Sequence, residues 1–292
     1  MYYTGFADEA AKDIDGQIRA TLELGWKNIE SRAIDGVNIH DLPDETFDDV
    51  CRKLDDAGVK VNCFGSTVAN WGKKITEPMD SSVEEAKRAI PRMQRLGTKL
   101  IRVMSFAQIP DAGPDEQMAE ERFRRMRILV DMFQDAGIQP VHENCMNYGG
   151  MGWPYTLELI ENVPGLKLVF DTGNPVGADD KSKEPPYPKQ SSWEFYSHVK
   201  EHIAYVHIKD GHFDPQKGDL ICTWPGEGNG DVRRIIKDLL ANGYDGGISM
   251  EPHMQVVFHD ASVKADPKAM FENYVEYGRR FMKLVDEIRA EL

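Results

Sequence analysis

Apolar residues along the chain follow two alternating rhythms. Short runs such as "VKVNCF" (59–64), "KLIRVM" (99–104) and "LKLVFD" (166–171) have the length and β-branched content of buried strands. Between them lie longer stretches in which apolar residues recur every three or four positions, the spacing of a helix with one buried face. The strands are predicted as β1 at 2–7, β2 at 27–31, β3 at 59–64, β4 at 99–104, β5 at 139–144, β6 at 166–171, β7 at 204–208 and β8 at 246–251. Helices are predicted near 13–24, 44–56, 82–96, 115–136, 154–162, 231–242 and 268–290, the first three closing on Gly25, Gly58 and Gly97.

Strands that alternate with crossover helices are parallel, and eight such strands in 292 residues make the tally of a (β/α)8 TIM barrel, a single α/β domain over residues 1–292. A doubly wound open sheet is the competing arrangement, but no GxGxxG follows β1, so its nucleotide-binding form lacks the phosphate turn. The stretch "DDKSKEPPYPKQSS" (179–192) reads as one long loop after β6, because the βα rhythm resumes on both sides of it. In a barrel that loop belongs to the catalytic face.

Composition narrows the partners. The chain carries 35 basic and 49 acidic residues, a net charge of −14, which repels a phosphate backbone and argues against nucleic acid. It contains no run of about 18 apolar residues and no basic-then-apolar leader at its start, so no membrane association and a cytoplasmic location are expected. The four cysteines, Cys51, Cys63, Cys145 and Cys222, form no CxxC pair, which points to reduced thiols. Homo-oligomerisation stays open.

The carboxyl ends of barrel strands converge on one face, so a polar residue at each end points into a shared site. Glu143 ends β5, Asp171 ends β6, His207 ends β7 and Glu251 ends β8. Three carboxylates brought together repel unless a positive charge sits among them, and a divalent cation supplies it. An oxygen-rich set with one imidazole suits Mn²⁺ or Mg²⁺ better than structural zinc, while Co²⁺ or Zn²⁺ could also occupy it. Lys209 and Arg102 are candidate substrate-binding residues at the same rim, with Glu30 beside them and Glu227 in the Gly-rich loop after β7. His142 and Asn144 flank Glu143 and by strand alternation face away from it, which gives His142 a supporting part in substrate binding. Trp71, Trp153 and Trp224 fall in predicted βα loops, where an aromatic face can stack on a sugar or pack in the core.

The runs "FADEA", "NIESR", "HEN", "FDTGN", "VHIKDG" and "GEGNGDVRRIIKDLLANGYDGGISMEPH" resemble the xylose isomerase-like TIM-barrel superfamily of sugar isomerases, epimerases and related lyases, and the resemblance spans nearly the whole chain. It implies that Glu143, Asp171, His207 and Glu251 are the metal ligands and that Glu143 and Glu251 are also the catalytic acid/base pair. The implied activity is isomerisation or epimerisation of a keto sugar or related polyol through an enediolate. The alternative is a dehydratase or β-eliminating lyase of a keto sugar, an inosose or a dehydroshikimate-type substrate. Many epimerases of the superfamily have a histidine three residues after the β6 aspartate, where this chain has Asn174, here a candidate for binding a substrate hydroxyl. The abasic-site endonucleases of the superfamily need extra histidines and a DNA-binding surface, against which both the charge and the eight histidines argue.

Overall fold

All eight predicted strands form. In the computed structural model, which describes residues 1–255 and 266–292, they are β1 (Tyr2–Gly5), β2 (Asn28–Ser31), β3 (Lys60–Phe64), β4 (Leu100–Val103), β5 (Gln139–Glu143), β6 (Lys167–Asp171), β7 (Ile203–Ile208) and β8 (Gly247–Met250). They join in the order β1-β8-β7-β6-β5-β4-β3-β2 with every ladder parallel. Between β1 and β2 the ring is closed by a single parallel bridge from Phe6 to Glu30.

The helices that cross over between strands are α1 (Ile14–Glu23), α2 (Asp44–Ala57), α3 (Asp80–Leu96), α4 (Ala119–Asp135), α5 (Trp153–Asn162), α6 (Ser192–Val199) and α7 (Val232–Ala241), and α8 (Pro267–Glu291) follows β8. Their ends follow local chemistry. The Asp13 side chain accepts from Gly16 N to cap α1, and Ser191 accepts from Glu194 N to cap α6. Gly58 and Gly97 close α2 and α3 at φ of 65° and 71°.

Two features depart from the predicted pattern. The loop at 179–192 gives way to α6 at Ser192, and two short hairpins, Ala33–Ile34 with Val37–Asn38 and Gly211–Asp214 with Asp219–Cys222, decorate the loops after β2 and β7. The Pro- and Lys-rich loop itself docks on the loop after β5: Lys181 N donates to Met151 O, and Gln190 Nε2 donates to Gly150 O.

Alternation along the strands sorts side chains into two compartments. Leu168, Phe170, Val206 and Ile208 face outward into the large core under the helices, while Cys63, Val141, Val169 and Tyr205 form a small layer inside the barrel. Two residues beyond Val141, Val169 and Tyr205 are Glu143, Asp171 and His207, so the same period that fills the lumen carries these three into its carboxyl end. No helix of the described residues is long and apolar enough to cross a membrane.

Candidate metal centre

Glu143, Asp171, His207 and Glu251, all buried, each offer one ligand atom, and these atoms lie within 4.8 Å of one another. Asp171, His207 and Glu251 are each anchored by one atom, and Glu143 by both oxygens, its Oε1 accepting from Asn174 Nδ2 at 3.1 Å. Asp171 Oδ1 accepts from Gly173 N at 2.8 Å and Asn174 N at 2.6 Å; Glu143 Oε2 accepts from Arg102 Nη1 at 3.0 Å; Glu251 Oε1 accepts from Arg32 Nη1 at 3.1 Å. His207 Nε2 lies 3.0 and 3.2 Å from the two oxygens of Glu30. The opposite atoms, Asp171 Oδ2, His207 Nδ1 and Glu251 Oε2, are buried without a hydrogen bond. Nδ1 stands 3.7 Å from Glu251 Oε2 and 3.9 Å from Glu143 Oε1.

Buried polar atoms are normally bonded, and three unbonded ones aimed at one point need a common partner. A divalent cation fits this donor set of three carboxylates and one imidazole. Lys209 reaches the same place: its Nζ is 3.1 Å from Asp171 Oδ2 and 3.5 Å from Glu251 Oε2, an ion contact without hydrogen-bond alignment. It can lie there because residue 173 is glycine; a Cβ at that position would fall 2.7 Å from Lys209 Cγ.

Charge balance follows from these contacts. Burial opposes ionisation of Glu143, yet Arg102 and His207 outweigh it and hold the carboxyl at about 2. Glu251 is likewise held well below the usual range, against burial, by Lys209, His253 and Arg32. Asp171 goes the other way, pushed up to about 7 by burial that Lys209 offsets only in part. For His207, burial disfavours the cation, but Glu30 and Glu143 carry its pKa up to about 10.

The other residues marked in the sequence divide clearly. Arg102 and Asn174 are in the cluster through Glu143, to which Asn174 Nδ2 donates at 3.1 Å. His142 faces out of the barrel, its Nε2 3.0 Å from both Ser105 Oγ and Asn147 Oδ1, and supports the loop after β5. Asn144 straps β5 to β6 through the backbone of Asp171. Glu227 is not brought to the cluster; it is exposed and pairs with Arg280 of α8 at 3.3 Å. Trp153 stacks on His198 and Trp224 packs beside Tyr277, whereas Trp71 is exposed. Sequence patterns gave no role to Arg32, Asp8, Glu9 and His253. Arg32 bridges Asp8, Glu9 and Glu251, and Glu9, Glu251 and His253 form a second close group. Their signal lay in "FADEA", "NIESR" and "MEPH", which carry the charges but not their directions.

Comparisons with known proteins agree with the fold. The family described as xylose isomerase-like TIM barrel matches residues 18–279, and the chain belongs to it. No curated protein matches the chain. Among solved structures, it is similar to a xylose isomerase-like TIM barrel protein from Mycobacterium smegmatis in complex with magnesium (19% identity, 97% of each chain covered, TM-score 0.66). It is also similar to the probable 3-DHS dehydratase AsbF from Bacillus anthracis (16% identity, 97% of this chain and 99% of that one, TM-score 0.69). A third is D-allulose 3-epimerase from Methylomonas sp. in complex with D-allulose (16% identity, 97% and 96% covered, TM-score 0.65).

Proposed function

We propose that this protein is a divalent-metal-dependent isomerase or epimerase of a keto sugar or related polyol, with Mn²⁺ the preferred ion and Mg²⁺, Co²⁺ or Zn²⁺ able to replace it. The observation that carries the reading is the convergence of Asp171 Oδ2, His207 Nδ1 and Glu251 Oε2, none of them hydrogen-bonded, with Glu143 beside them. Glu143, Asp171, His207 and Glu251 would hold the ion, which when bound polarises a substrate carbonyl and acidifies the neighbouring C–H.

This chain's own groups then handle the proton. Glu143 and Glu251 are both kept ionised, the state a base needs, and each is held in place by an arginine: Arg102 for Glu143 and Arg32 for Glu251. One glutamate takes the proton from carbon, leaving an enediolate, and the other, first protonated from solvent, delivers a proton to the opposite face. Lys209 sets an ammonium beside the oxygen on which negative charge develops. Arg102 orients Glu143 at the substrate, and Asn174 contributes its amide to the same carboxylate or to a substrate hydroxyl.

A second reading, a dehydratase or β-eliminating lyase of a keto sugar, inosose or dehydroshikimate-type substrate, begins with the same proton removal. Asn174 favours it, because its amide is engaged with Glu143 where many epimerases carry an imidazole. One experiment separates the two. Keto sugars incubated with the Mn²⁺-loaded protein in D₂O should gain deuterium at the carbon beside the carbonyl and return as sugars of otherwise unchanged mass; a lyase would instead release an unsaturated ketone lighter by water or an alcohol. Glu143→Gln and Glu251→Gln should each lower kcat by about 10²-fold or more, with metal content measured in parallel. A variant that keeps its metal and full turnover removes that glutamate from the mechanism.

A further inference from the structure

Glu30 takes no part in the proton transfer proposed above, yet its carboxylate is fully buried in the barrel lumen. A carboxylate in such a place is costly unless it is paired. Its place is built by the backbone: the β2 to β3 register shifts between Ile29 and Glu30, and the Phe6 to Glu30 bridge fixes the same residue against the chain leaving β1. Both carboxylate oxygens are then aimed at one atom, His207 Nε2, from across the lumen. Glu30 is not itself in the converging set of ligand atoms, for it lies on the far side of the imidazole from Nδ1.

The packing around His207 leaves one thing undecided without Glu30. Phe6 meets the imidazole edge-on at 5.0 Å and 69°, and Tyr205 does so at 5.6 Å and 78°. These two rings fix the plane of the imidazole. A half-turn about the Cβ–Cγ bond, however, preserves that plane while exchanging Nδ1 for Cδ2 and Nε2 for Cε1, and aromatic edges barely distinguish carbon from nitrogen. Only a hydrogen-bond acceptor does.

Resting on the metal centre proposed above, we infer that Glu30 is a positioning residue for the ion: by accepting the Nε2 proton of His207 it selects the ring orientation and tautomer that present Nδ1 to the metal. Its negative charge also strengthens the imidazole as a donor.

The test measures the affinity of metal-free wild type, Glu30→Gln and Glu30→Ala for Mn²⁺ and Zn²⁺ by competition with a chelating dye, alongside metal-free melting temperatures. Glu30→Ala should bind about 10- to 100-fold more weakly, and Glu30→Gln, which keeps an acceptor but not the charge, should lose less. In Zn²⁺-loaded wild type, ¹⁵N-histidine NMR should find the His207 proton on Nε2. A purely structural Glu30 would lower the melting temperatures and leave the affinity of the folded variants unchanged, which overturns the inference. A His207 proton found on Nδ1 overturns it too, and this readout needs no variant to fold. Wild type that binds neither ion refutes the metal centre and the inference together; wild type that binds while both variants match it refutes the role of Glu30 alone.

Discussion

His207 and Asp171 hold protons that an arriving ion must displace. In the metal-free site His207 is an imidazolium until about pH 10, because Glu30 and Glu143 overcome its burial, and Asp171 keeps its proton to about pH 7 through burial. Below about pH 7 binding therefore releases two protons, and between about 7 and 10 it releases one. Metal affinity should rise by about two decades per pH unit in the first window and about one in the second, then level off. Chelator competition at a series of pH values checks this, and a flat profile from pH 6 to 9 would contradict it. Fold stability has its own signs. The raised pKa of His207 stabilises the metal-free fold fully below its ordinary 6.5 and ceases to do so as pH passes about 10. The raised pKa of Asp171 favours the fold below 3.8 and gives that up as pH rises through about 7.

Between the strands and the helices, two side chains do what no regular element does. Arg122 of α4 is fully buried and spends its guanidinium on carbonyls: Nε on Gln117 O, Nη1 on Ser105 O and Phe106 O, Nη2 on Ala107 O. Among the described residues no carboxylate pairs with it, and burial brings its pKa down to about 10. It fixes the loop after β4, where Phe106 is held at φ 65°, a conformation that bulky residues adopt only under constraint. Arg122→Met should leave four carbonyls without a donor and lower stability by about 3 kcal/mol or more, read from urea unfolding; Arg122→Lys should recover only part of it. Asp210 plays the same part after β7, where its carboxylate accepts the amides of Gly211, Gly226, Gly228 and Gly230 and so gathers "GEGNG" against Lys209. Elements of this kind are hard to read from sequence. The strands and most helices announce themselves by period and by glycine stops, but α6 is only eight residues long and begins at the end of a Pro-rich stretch that masks it. Glu227 misleads for a related reason: its loop is set by the Asp210 contacts, which turn it toward α8.

Taken as one molecule, the barrel should couple ion binding at the proposed centre to its stability. An ion that binds only the folded site at 100 times its Kd adds about 2.7 kcal/mol, so Mn²⁺ should raise the melting temperature by several degrees and a chelator should reverse it. Calorimetry showing no shift with Mn²⁺, Mg²⁺ or Zn²⁺ would speak against the site. The convergence of three of the four side chains was legible because they lie two residues beyond inward-facing Val141, Val169 and Tyr205, where the strand period still governs direction. Glu251 lies one residue past β8 and was legible by its place at the strand end. Arg32 and His253 lie beyond the strands, where loops aim the side chains and no period predicts them. The single bridge between β1 and β2 has a last consequence. A sheet whose two edges are hardly hemmed together would unzip there first, but side chains cross the lumen like spokes in a wheel: Thr4 to Asn62, Asn62 to Tyr205, and Glu30 to His207. The rim of this wheel is thus held from its hub, and an ion bound at His207 would tighten the spoke that ends on β2, the strand at the seam.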